Sequence, residues 1–189
     1  MKQTAIAALV VMAVLLLHGC ATQDRLELPV KLPVASLAQA SSIDWQDERP
    51  PWDSAKSEIP TAVGFLVNLG DDISSPSTIE YLRNRLQADS SRRAAIGTVR
   101  VKRLVVTAES RNSWALLGYR QPIVALANWE RKQMPIEYQS KVEVLILLEI
   151  DGKTIEAKSA IPFDSQPSAL DIANAIKIAV ENASRSTRQ

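Results

Sequence analysis

The sequence predicts an α+β domain, a mainly antiparallel sheet of four to five strands with two helices packed on one face. Three observations carry this expectation. Residues 141–161 alternate apolar and polar side chains with a period of two on either side of Asp151-Gly152, a pair that favours a tight hairpin turn. Two stretches, near 77–89 and 167–184, instead repeat apolar residues at helical spacing behind Ser and Pro start signals. The elements run strand, helix, strand, irregular insert, hairpin, helix, an order that places two helices over one sheet.

The amino terminus is read first as an address. Lys2 supplies a positive charge, and residues 5–17 are an unbroken apolar run. A membrane-spanning helix needs about 20 such residues, so this run fits the core of a signal peptide better. It ends in Leu17-His18-Gly19-Cys20, which resembles the bacterial lipobox, with His18 standing where Ala, Ser or Thr is usual. Cys20 is the sole cysteine, so no disulfide competes for its sulfur. The resemblance implies removal of residues 1–19 as a lipoprotein signal peptide and acylation of Cys20. Lipid at Cys20 makes the membrane the first partner, each buried CH2 adding about 0.8 kcal/mol to the hold. Ala21 follows the cysteine where an inner-membrane retention signal would have Asp. The expected location is therefore the periplasmic face of the outer membrane.

Residues 20–40 read as a lipidated tether, since Pro29 and Pro33 interrupt short apolar stretches. The same prolines leave residues 28–34 able to dock as an edge strand. A single domain is expected over 41–185, long enough to bury one core, followed by a frayed tail at 186–189. Within the domain, strands are expected at 42–46 and 63–69. In 98–109, Val99 and Val101 share one phase while Leu104, Val106 and Ala108 share the other, so a bulge is expected at Lys102-Arg103. The first helix has two possible starts, Ser75-Pro76 or the capping box Ser77-x-x-Glu80, and buries Ile79, Leu82 and Leu86. The last begins around Ser165-Gln166-Pro167 and turns Ile172, Ala173, Ile176, Ala179, Val180 and Ala183 inward. The insert at 110–138 stays open between a strand, turn and short helix and a long functional loop, because Gly118 and Pro122 break any one helix.

Composition narrows the chemistry. Without residues 1–19 the chain loses Lys2 and its one histidine, and its acidic and basic side chains balance. A balanced charge gives no electrostatic case for nucleic acid. Thiol catalysis, Ser-His-Asp catalysis and zinc sites built on His or Cys are excluded once the signal is removed. Six glycines in no phosphate-binding pattern argue against a nucleotide. No enzyme activity, catalytic residue, metal or cofactor is therefore expected. Asp71-Asp72 comes nearest to a carboxylate pair, and reads better as a turn with favourable charge near a helix start.

The plan of elements behind a lipobox, with Asp47-x-Arg49-Pro50 after the first strand, resembles the small envelope lipoproteins of the YajG type. That resemblance implies no catalytic activity. The candidate binding residues are Trp45, Arg49 and Trp52 in one charged, Pro-rich loop, with Trp114 and Trp129 around the insert. Trp and Arg dominate protein interfaces, and Trp also stacks on sugars. The alternative use of each Trp is core packing. Arg83, Arg85, Arg92, Arg93, Arg100, Lys102 and Arg103 form a basic cluster that would suit anionic lipid or glycan, or simply a solvated face. The leading expectation is an accessory or docking module for an envelope protein partner. A glycan- or lipid-binding module comes second, and a hydrolase without His or Cys third.

Overall fold

The computed structural model describes residues 28–33, 43–61, 64–90, 97–110, 139–164 and 166–187. Cys20, Arg92, Arg93, Trp114 and Trp129, with residues 111–138 of the insert, lie outside these residues. In chain order the elements are β1 (Val30–Lys31), β2 (Asp44–Asp47), α1 (Pro51–Ser54), β3 (Ser57–Thr61) and β4 (Gly64–Asn68). A short 3-10 turn (Asp71–Ile73), β5 (Ser74–Ser75) and α2 (Thr78–Ser90) follow. Then come β6 (Thr98–Ser110), β7 (Lys141–Ile150), β8 (Lys153–Pro162) and α3 (Ala169–Ser186).

The fold is α+β, as the sequence predicts. The main sheet has six strands in the order β3-β4-β6-β7-β8, with β2 also on β6. Every pairing is antiparallel except that of β2 with β6. The long β6 is the axis of the sheet. Its first four residues pair with β2 and its last four with β4, both on the edge opposite β7. The additional strand is β3, whose sequence Ser-Glu-Ile-Pro-Thr carries little strand signal. It lies at the sheet edge, where Pro60 is tolerated.

The hairpin and the bulge form where expected. Asp151 and Gly152 both have positive φ, 49° and 81°, as the tight turn between β7 and β8 requires. The β6–β7 register shifts between Val101 and Arg103. That extra residue lets Val99, Val101, Leu104, Val106 and Ala108 all face the core despite their change of phase.

Both helices pack on this face. Leu82 and Leu86 of α2 and Ile172, Ala175, Ile176, Ala179, Val180 and Ala183 of α3 are fully buried against the sheet and each other. Of the two possible starts for α2, the structure uses the second: the Ser77 amide donates to Glu80, and the Glu80 amide to Ser77 Oγ. Ser75 belongs to β5 instead. Helix α3 starts at Ala169, later than expected, behind a capping box in which Ser168 and Asp171 satisfy each other's amides.

Part of the stretch read as a tether is docked. β1 pairs in parallel with β5, the Leu32 amide donates to the Ser75 carbonyl at 2.9 Å, and Val30 and Leu32 are buried in the core. Burying two such side chains stabilises by about 3–6 kcal/mol, and backbone hydrogen bonds add about 1 kcal/mol each. Ordering six residues costs about 6–12 kcal/mol. The two sides are of the same order.

Candidate functional site

The parallel pairing of β2 with β6 delivers the chain to a sharp corner. Glu48 donates the last ladder bond, to the Val101 carbonyl, and the backbone then turns away from the sheet. Pro50, extended at φ −63° and ψ 145°, blocks continuation of the strand, and Pro51 opens the single turn of α1. The Asp53 amide closes that turn on the Pro50 carbonyl at 3.0 Å. The corner fills the stretch of β6 edge left between β2 and β4.

Arg49 organises the corner from beneath. Its side chain is only 5% exposed. Nη1 and Nη2 donate to the two oxygens of Asp71 at 2.9 and 2.8 Å, while Nε and Nη2 donate to the two oxygens of Asp47, both at 2.9 Å. Burial works against the guanidinium charge, but the bonds to Asp47 and Asp71 outweigh it and raise the Arg49 pKa. The same hydrogen bond from Arg49 holds the Asp47 carboxyl below its ordinary value against partial burial. Both forks of the guanidinium are thus occupied within the chain.

A second pair fixes α1. Asp53, its side chain 1% exposed, accepts from Arg103 Nε at 2.6 Å, and its other oxygen, Oδ1, has no hydrogen-bond partner among the described residues. Asn68 Nδ2 donates to the Trp52 carbonyl at 2.7 Å and to the Asp53 carbonyl at 3.3 Å, tying α1 to the end of β4. The Trp52 ring stands on this clamped turn with two thirds of its surface exposed.

The structure separates the sequence candidates. Trp45 is half-buried and packs on the core. Arg49 is a buried strut beneath the corner. Trp52 alone of the three presents a large free surface. Asp71, read from sequence as a turn residue, proves to be the distant one of the two carboxylates that hold Arg49. Asn68, Asp53 and Arg103 complete the corner; Arg103 was legible as part of a bulge and a basic cluster, while no local pattern marks Asn68 or Asp53.

The basic cluster is largely neutralised where it is described. Arg100 meets Glu149 at 3.2 Å and Glu48 at 3.6 Å, Lys102 bonds Glu48 and Glu149, and Arg103 holds Asp53. Lys102 holds the exposed Glu48 carboxyl below its ordinary range, and its own pKa rises in return. A second apolar surface lies at the far end of β4, a groove of about 330 Å3 lined by Phe65, Val67, Leu69, Ala108 and Phe163. Among the described residues no group of three or more His, Cys, Asp or Glu is placed to hold a metal ion.

The sequence matches no protein-family model and no curated protein.

Proposed function

We propose that this chain is a lipid-anchored accessory lipoprotein of the bacterial envelope that docks a protein partner through the corner bearing Trp52. The observation that carries the docking half is the contrast within that corner. An indole two-thirds exposed sits on a turn clamped by Asn68, Asp53–Arg103 and the Arg49 fork. A large aromatic on a backbone already fixed adds no loop-ordering cost when a partner covers it, which suits an interface anchor. Cys20, the sole cysteine at the end of the apolar run, supports the anchor half. A chain without histidine after residue 18 supports a binding role over His-dependent catalysis.

Pairing of Arg100, Lys102 and Arg103 with carboxylates favours a protein partner over an anionic glycan or headgroup, which would need free cations. The test is photo-crosslinking in living cells with a photoreactive residue at position 52, at Phe65 in the groove, or at the exposed Asn174 of α3. Docking through the corner gives one discrete adduct from position 52 that the Asn174 probe does not form. An adduct from Phe65 with none from position 52 would move the interface to the groove and defeat this reading.

A further inference from the structure

We propose that residues 28–33 form a releasable strap that sets how far the domain stands from its membrane anchor. The strap is β1 and its flanks. It is joined to the rest of the fold by two register pairs with β5, the Leu32 amide bond to Ser75, and the burial of Val30 and Leu32 against α3. Its remaining surface is wet: Leu28 is half exposed, and Lys31 and Pro33 face solvent. Two residues of the strap are paired, on one side only, whereas β7 is paired along its whole length on both sides. A short segment so weakly tied opens far more often than the body it rests on.

The position of the strap gives its release a consequence. With β1 docked, Leu28 follows Cys20 by eight chain steps, a reach of at most about 28 Å. With β1 released, the next described residue of the chain is Ile43, buried just before β2. Twenty-three chain steps then separate Cys20 from Ile43, at most about 80 Å. Docking of this one strand therefore lowers the largest separation the chain allows between Cys20 and the domain. The two-length tether rests on the anchor proposed above, whereas release of the strap does not.

Lys31 makes the release measurable, because trypsin cuts after it only when the strand leaves β5. The full chain in detergent is digested briefly, and the cut after Lys31 is followed by mass alongside the cut after Lys141 in β7. The proposal expects cleavage after Lys31 at least about a hundredfold faster than after Lys141, with little dependence on urea below the main transition. Equal rates with the same urea dependence would show that the strap opens only with the whole domain, and would overturn it. A second variant guards against a misleading structural effect. Leu32→Gln should speed the Lys31 cut about tenfold or more while moving the urea midpoint far less than Leu82→Gln in α2. Equal midpoint losses for the two variants would make β1 an ordinary part of the core and defeat the strap. Failure of the chain to associate with vesicles would remove the anchor and leave the cleavage result standing.

Discussion

Asp71 accepts from Nη1 and Nη2 of Arg49 across 22 residues of sequence, with nitrogen–oxygen distances of 2.9 and 2.8 Å. This pair joins the corner after β2 to the 3-10 turn after β4, two segments with no backbone ladder between them. It is also sheltered, with Arg49 5% and Asp71 23% exposed. Arg49→Ala should therefore destabilise the domain by about 1–3 kcal/mol, below the 3–5 kcal/mol of a fully buried pair because both carboxylates keep some contact with water. Arg49→Lys should recover little, since an ammonium cannot reach two carboxylates with a planar fork. Urea unfolding of the three proteins checks this, and coincident midpoints would show that the corner contributes nothing to stability.

Acid should act on the same corner. The Arg49 hydrogen bond holds Asp47 below its ordinary pKa of 3.8. A carboxyl whose folded pKa is depressed adds stability above its unfolded pKa, and that stability is lost as pH falls through the folded value. Asp47→Asn should therefore narrow the gap between wild-type and variant midpoints as pH falls from about 5 to about 2, at low salt. Parallel curves over that window would show that Asp47 titrates alike in the folded and unfolded chains.

Trp45 and Trp52 lie seven residues apart and should respond in opposite ways. Trp45 packs on the core, so Trp45→Ala should cost about 2–3 kcal/mol, reduced from a fully buried Trp because the ring is half-buried. Trp52→Ala removes an exposed ring and should change stability by less than about 0.5 kcal/mol. It should nevertheless weaken capture of the partner recovered by crosslinking. A Trp52→Ala protein with a lowered midpoint and unchanged capture would reassign that ring to packing.

The division between these two tryptophans shows how far local sequence reaches. Asp151-Gly152 and the phase switch at Lys102 are local signals, decided by the backbone of a few residues, and both are legible. The same holds for the apolar stripes of α2 and α3, though two nearby Ser residues competed for the α2 start and Ser168 displaced the expected cap of α3. Which face of the 45–52 loop turns inward depends on where β2 leaves the ladder of β6, a strand about fifty residues on, and that is not local. Neither is the pairing of Arg49 with Asp71, because a carboxylate beside a glycine reads equally as a turn. β3 was hidden by Pro60, which marks an interior strand as improbable but sits comfortably on an edge. β1 was legible only as one of two alternatives, because Pro29 and Pro33 suit a tether and an edge strand equally, and the burial of Val30 and Leu32 depends on a distant helix.

Processing offers a test of the anchor apart from the fold. Cys20→Ala removes the only thiol on which lipid can be placed. The expected outcome is loss of palmitate labelling and accumulation of uncleaved precursor, with the folded domain unchanged by circular dichroism. Normal maturation of that variant would sever the lipobox resemblance from the chain's real processing.

Gly70 leads into Asp71, and its geometry makes a further demand. At φ 75° and ψ 176° it occupies a backbone region open essentially to glycine alone. A Cβ added there would also lie 3.1 Å from the Ser54 carbonyl, the Lys56 amide and an Asp72 oxygen. Two of those are backbone atoms of the segment leaving α1, so neither can swing aside. Gly70→Ala should therefore cost about 1–3 kcal/mol in backbone strain, with the close contacts added to it. The residue that follows is Asp71, so relief of the strain would come from moving the carboxylate that Arg49 holds. Arg49→Ala and Gly70→Ala should then be less than additive, because either change alone releases the same contact. A double-mutant cycle by urea unfolding decides the matter. Full additivity would mean that Gly70 strains the turn without disturbing Arg49 and Asp71, and the corner would have to be treated as two independent parts.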